Sequence, residues 1–152
     1  MLSSIDIVKY NIYVNENTLN TNLSWLFLRV SFKSKPSLIK IAEEHDLSLP
    51  QLYIVASMKP NESLQMNEIA NILSCDPSNV TGIIDRMFAQ KYIERQEKPH
   101  DRRAKLISLT PEGIKLREEL IDRIADNTPK IFDNIDDDTK EQLAKLLIEV
   151  LS

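Results

Sequence analysis

The sequence predicts a mainly α chain with a small two-stranded β-wing. Three observations predict it. Only two glycines occur in 152 residues, apolar residues recur at helical spacing along most of the length, and a single stretch between Tyr92 and Leu109 switches to period two. With 42% hydrophobic and 28% charged residues, the composition is that of a folded globular chain. The length suits one compact unit over residues 1–152.

Several function classes are excluded at this level. No stretch approaches the ~18 apolar residues of a membrane span, and the opening MLSSIDIVKYNIYV lacks the basic region of an export signal. A cytoplasmic protein without membrane contact is expected. The lone Cys75 cannot close an intramolecular disulfide, and two histidines, His45 and His100, supply no metal cluster. No glycine loop cradles a phosphate, and no nucleophile stands beside a base. Neither a cofactor nor an enzyme is expected.

Residues 1–16 alternate weakly and fit a strand, an arm or a helix. From Asn17 to Phe32, Leu19, Leu23, Leu26, Phe27 and Val30 follow helical spacing, with Trp25 and Leu28 widening the apolar surface. Trp25 reads as a core side chain and His45 as a helix-end residue, in preference to ligand-cavity roles. Pro36 is expected to kink or end that helix, with Ser37 capping a continuation to about Asp46. Leu49 to Met58 reads as a buried helix closed by Lys59-Pro60-Asn61.

Two amphipathic helices follow. Met66, Ile69, Ala70 and Leu73 define the first, and Val80, Ile83, Ile84, Met87 and Phe88 are the expected inward face of the second. Asp76 is placed as its N-cap and Pro77 at its first position, where a missing amide costs nothing. Cys75 fills the turn core; beside Asp76 it is poorly set for a thiolate sensor. Tyr92–Gln96 and Lys105–Leu109 read as strands around a polar loop, whose lack of glycine argues against a two-residue turn. Thr110-Pro111-Glu112 restarts helix to about Asp126. A last helix from Asp136-Asp137-Asp138 is expected to bury Leu143, Leu146, Leu147, Val150 and Leu151, a stripe that needs a partner.

Two helices, a short turn and a hairpin form the order of a winged helix-turn-helix, here at residues 49–113. The inward phase of its second helix leaves Ser78, Asn79, Thr81, Gly82, Asp85 and Arg86 outward. Asn pairs with adenine, Ser and Thr contact bases or phosphates, and Arg86 takes guanine or phosphate. Gly82 costs ~1 kcal/mol in mid-helix, offset either by close approach to DNA or by packing against a neighbouring helix. The net charge of -4 is unevenly spread: residues 86–105 carry seven Lys/Arg against three acids. That local excess is an electrostatic footprint for a polyanion, and beside a helix-turn-helix the polyanion expected is double-stranded DNA. The alternatives are a solvated loop, or a protein-interaction module whose basic wing binds an acidic protein partner.

The run Ser78-Asn79-Val80-Thr81-Gly82-Ile83-Ile84-Asp85-Arg86, then Lys91-Tyr92-Ile93-Glu94-Arg95, then Asp101-Arg102-Arg103-Ala104-Lys105 and Leu109-Thr110-Pro111-Glu112-Gly113, resembles the multiple-antibiotic-resistance regulator (MarR) family. The resemblance implies a homodimeric transcriptional regulator, more often a repressor, bound to a palindromic operator. Residues 1–48 and 114–152 would supply dimerisation helices. It makes Lys98 to Ala104 the wing tip, with Arg102 entering the minor groove and Arg103 pairing with Asp85; the two arginines can exchange roles. Lys98 and Lys105 complete the DNA-binding set. Members commonly respond to a small-molecule effector, aromatic or phenolic, or to oxidants. Two positions depart from the family pattern: Ser74 stands where the turn usually has glycine, and Gly82 where the recognition helix often has arginine.

Overall fold

A computed structural model describes residues 19–98, 101–127 and 132–151. The element order is α1 (Leu19–Glu44), α2 (Leu49–Ser57), β1 (Ser63–Gln65), α3 (Met66–Ile72), α4 (Pro77–Ala89), β2 (Ile93–Lys98), β3 (Asp101–Leu109), α5 (Pro111–Asn127) and α6 (Asp137–Leu151). The fold is mainly α, as expected, and no helix among the described residues is long and apolar enough to cross a membrane. Leu38–Asn127 forms one compact unit, and the segments on either side of it form a second. Residues 1–16, whose conformation the sequence leaves open, lie outside the described residues.

The core of the Leu38–Asn127 unit is drawn from every element in it except β1, whose Leu64 packs against it half-buried. Ile41 and Ala42 of α1, Leu52 and Val55 of α2, Ile69 of α3, Val80, Ile84 and Met87 of α4, Ile107 of β3 and Leu120 of α5 are all buried. Burial on this scale contributes about 1.5–3 kcal/mol for each large apolar side chain. It also explains the first correction to the sequence pattern. Pro36 neither ends α1 nor starts a separate helix; it lies inside a 26-residue helix. Proline removes one amide from the ladder, but the segment beyond it carries Ile41 and Ala42 into the core, and packing outweighs the lost bond.

Helix ends are handled without glycine. Asp46, Ser74 and Lys91 each adopt positive φ (54°, 49° and 63°) just beyond a helix end, and each is followed by an amide that bonds five residues back. Leu47 N–H donates to Ala42 O at 2.9 Å, Cys75 N–H to Ala70 O at 3.0 Å and Tyr92 N–H to Met87 O at 3.1 Å. This closure satisfies terminal carbonyls and sets an apolar residue against the helix it leaves. The left-handed conformation costs a non-glycine residue roughly 1–2 kcal/mol, and the burial of Leu47 and the packing of Cys75 and Tyr92 against the core offset it.

The sheet is three-stranded and antiparallel, in the order β1-β3-β2. The sequence leads one to expect two strands. The third, Ser63–Gln65, pairs Leu64 with Ile107 and is too short for alternation to reveal. The β2–β3 ladder reaches Lys98 opposite Asp101, so only two residues join the strands, contrary to the inference from missing glycine. A register shift sits between Glu97 and Lys98: Glu97 opposes Lys105 and Lys98 opposes Asp101, leaving Arg102, Arg103 and Ala104 with no residue opposite on β2. Such a bulge relieves a short hairpin of regular pairing to its tip.

A glycine is required where α5 begins. Thr110 caps that helix: its hydroxyl accepts from Gly113 N–H at 3.0 Å and donates to Lys91 O at 2.6 Å. A methyl on Gly113 would overlap the Tyr92 carbonyl oxygen and meet Leu109 Cδ2 at 3.3 Å. The first turn of α5 thus passes directly over the start of β2.

In the second unit, α6 departs from expectation. None of its residues is buried; Leu143 and Leu147 are half-buried, while Leu146, Val150 and Leu151 are exposed, Val150 to 81%. On α1, Leu23, Phe27 (60%) and Val30 form an exposed stripe, and Trp25 is 45% exposed where a core position was expected.

The two turn positions give opposite outcomes on thermal or denaturant unfolding. Ser74→Gly removes left-handed strain and raises stability by about 0.5–1 kcal/mol. Gly113→Ala lowers it by about 1–3 kcal/mol, because backbone must move to admit the methyl.

Candidate nucleic-acid interface

The candidate site is α4 with the strands packed beside it. Its orientation is set at the turn between α3 and α4. Cys75 packs against the core, and Asp76 caps α4 by accepting from Ser78 Oγ at 2.6 Å and Ser78 N at 2.8 Å. These bonds, the hydroxyl's first, hold the Asp76 carboxyl below its ordinary value. Pro77 occupies the first helical position. With both ends of the turn fixed, Val80, Ile84 and Met87 are buried and Ile83 is half-buried.

Phe88 corrects the expected inward face: it is 50% exposed. The Arg95 guanidinium of β2 lies over its ring, 5.0 Å from the centroid, and forms an ion pair with Asp85. One arginine thereby ties β2 to two residues of α4 by charge and by cation–π attraction. The resemblance implies Arg103 as the partner of Asp85. The described partner is Arg95, and the Arg103 side chain lies outside the described residues. Arg95 stands in the quoted family run, but a surface arginine in a strand carries no sequence signal of its partner. Its Nε is buried without a hydrogen-bond partner.

Ser78, Asn79, Thr81, Gly82, Asp85 and Arg86 are all exposed. The Ser78 hydroxyl is committed as a donor to the cap and keeps its acceptor side. Arg86 Nε donates to Gly82 O at 3.3 Å, which lays the guanidinium along the outer face of the helix. A methyl added to Gly82 would meet nothing within 4 Å. Packing among the described residues therefore does not account for the glycine, which speaks against one of the two explanations its sequence position allows.

Thr81, Asp85 and Lys105 come together with Arg95, Met66 and Ile107 around a cleft between α4 and the sheet. A second, apolar cleft of about 420 Å³ opens on the other flank of α4, lined by Tyr53, Ile72, Leu73, Cys75, Asn79 and Ile83 among others. His45 follows the end of α1, as expected, and lines a shallow polar site with Glu44, Glu119, Asp122 and Arg123. Lys105 is exposed on β3. The side chains of Lys98, Arg102 and Arg103 lie outside the described residues; the backbone places Arg102 and Arg103 in the bulge of β3.

The recognition helix is also anchored at its far end. Gln90 follows α4 and accepts from Gln51 Nε2 at 2.8 Å while its own amide donates to Asp46 O at 3.2 Å. Gln51 in turn accepts from Ser48 N–H at 2.8 Å. Four residues thus join the ends of α1 and α4 to the start of α2.

Since the folded Asp76 carboxyl titrates below the unfolded-state value of about 3.9, the cap's contribution is complete above that value and is lost as pH falls through the lower folded value. Unfolding followed from pH 6 to pH 2 should show Asp76→Asn with a shallower acid limb than the unaltered chain; equal limbs would contradict the cap's role.

Comparison with known proteins agrees with this geometry. Residues 47–105 match the MarR family model. The chain is 37% identical over 94 residues to the transcriptional repressor MdtR of Bacillus subtilis, a match spanning 61% of this chain and 61% of that protein. It is 28% identical over 107 residues to the multiple antibiotic resistance protein MarR of Salmonella typhimurium, covering 70% and 74% of the two chains. The crystal structure of apo MarR from E. coli superposes with a TM-score of 0.72 at 25% identity, over 86% of this chain and 96% of that one. The chain thus carries a MarR-family region at residues 47–105 and shares the winged-helix fold of the MarR transcriptional regulators it resembles.

Proposed function

We propose that the protein is a cytoplasmic, sequence-specific DNA-binding repressor that grips a palindromic operator as a homodimer. The observation that carries this reading is the exposed face of α4, polar near its start and basic one turn later, held against a sheet whose bulge contains two adjacent arginines. In this reading Asn79, Thr81, Gly82 and Arg86 face base edges, with the Ser78 acceptor side on a phosphate. Lys98 and Lys105 contact phosphates. Arg102 reads a narrow minor groove by its electrostatic potential, and Arg103 adds charge to the same tip.

Dimerisation is supported by the apolar faces left uncovered among the described residues: Leu23, Phe27 and Val30 on α1, and Leu146, Val150 and Leu151 on α6. Patches of this kind are rare on monomers, and in this reading a second copy of the chain covers them. The dimer would fix the separation of two recognition helices near one helical turn of DNA. A small effector would act by biasing that spacing, and the apolar cleft beside Asn79 and Ile83 is a cavity that reaches α4.

The test is fluorescence anisotropy on the duplex upstream of the protein's own gene, on a scrambled duplex and on duplexes from a random-sequence selection, each at several salt concentrations. Tight binding to a specific subset, with log affinity falling linearly against log salt, is the expected result. Arg102→Ala should weaken it roughly tenfold or more while leaving the fold intact. Equal, weak binding to every duplex, with capture by an acidic protein instead, would establish the protein-interaction module.

A further inference from the structure

We infer that Gly82 sets how deeply the recognition helix seats in the major groove, and with it which base edges Asn79 and Arg86 reach. The inference rests on the DNA-binding reading above. A glycine is kept inside a helix for one of three reasons: a backbone conformation other residues cannot adopt, a neighbour too close for a Cβ, or a ligand that needs the space. Gly82 has no positive φ, and nothing lies within 4 Å of the position its Cβ would take. Among the described residues neither reason internal to the chain applies, and the third remains.

The phase of the helix points the same way. At 3.6 residues per turn, Gly82 lies roughly 170° around α4 from the buried Val80–Ile84–Met87 face, on the line most remote from the core. Asn79 and Arg86 flank that line on one side, Thr81 and Asp85 on the other. The Gly82 carbonyl is also where Arg86 Nε rests, at 3.3 Å, so the long cation of the recognition surface lies against the glycine's own backbone. A helix about 10–12 Å across its side chains fills a major groove about 12 Å wide. A bare crest brings its axis nearer the base pairs than any side chain there would allow. Short readers such as Asn79 then reach base edges directly, and Arg86 can swing from the carbonyl to a guanine or a phosphate.

The experiment compares the unaltered chain with Gly82→Ala by thermal unfolding, by duplex selection from a random library and by anisotropy on the selected sequences. Gly82→Ala should unfold about 3 °C higher, because alanine favours helix. It should nevertheless bind the duplex selected by the unaltered chain about tenfold more weakly or worse, with the salt slope retained because no cation is lost. Opposite signs for stability and binding cannot arise from misfolding. Equal affinity of the two proteins for that duplex would overturn the inference while leaving the DNA-binding reading standing. Loss of stability together with binding would assign Gly82 a packing role and overturn it too. Failure of the unaltered chain to select any duplex would remove the reading and the inference together.

Discussion

The geometry of the recognition surface depends on four residues, Leu73 to Asp76. Within them α3 must stop, the chain must reverse, and α4 must start in one rotational phase. Ser74 takes the left-handed conformation at φ 49°, its successor's amide bonds back to Ala70 O, and Cys75 is thereby turned against the core. Asp76 then caps α4 through both Ser78 donors. A helix whose start is fixed by a cap and a proline, and whose fourth, eighth and eleventh positions from that cap are the buried Val80, Ile84 and Met87, has no freedom to rotate. Every outward residue, from Asn79 to Arg86, takes its direction from that constraint.

The sheet is held to α4 and to the helices on either side of it by contacts of different kinds. Arg95 binds Asp85 and covers Phe88. Tyr92 O accepts from Thr110 N–H, and the bare Cα of Gly113 lies against that carbonyl. β1 leads straight into α3 and pairs with β3, so the first helix of the pair is part of the sheet's own framework. Helix and wing therefore present one surface, whose parts move together more readily than apart. The chain Ser48–Gln51–Gln90–Asp46 extends this coupling to the end of α1.

Much of this was legible because it rests on local signals. Asp76-Pro77 and Thr110-Pro111 announce helix starts by their own chemistry, and the apolar spacing of α4 gives the correct phase for Val80, Ile84 and Met87. What the sequence hides is whatever depends on a distant partner. Phe88 completes an apolar pattern, yet it stays half-exposed because Arg95, seven residues on, offers its ring a cation. Ser63–Gln65 becomes a strand only because β3 has a free edge for it. Pro36 fails to break α1 because the segment beyond is fixed by the core. The stripe of α6 looks buried by its spacing and is exposed because no element among the described residues covers it.

Charge segregation connects these mechanical features to the proposed role. The chain is acidic overall, at -4, yet residues 86–105 hold seven Lys/Arg against three acids. One of those cations, Arg95, is spent within the fold on Asp85, which leaves the positive excess to side chains that α4 and the strands direct outward, such as Arg86 and Lys105. Non-specific attraction to a polyanion grows with every phosphate neutralised. An acidic remainder weakens that attraction elsewhere relative to the segment where these cations gather. Correct docking then requires α4 and the wing to meet the duplex simultaneously, and the Asp85–Arg95–Phe88 contact keeps them in register for it. On this view the negative charge of the body works with the basic wing: it suppresses the weak, unoriented encounters and leaves the oriented one.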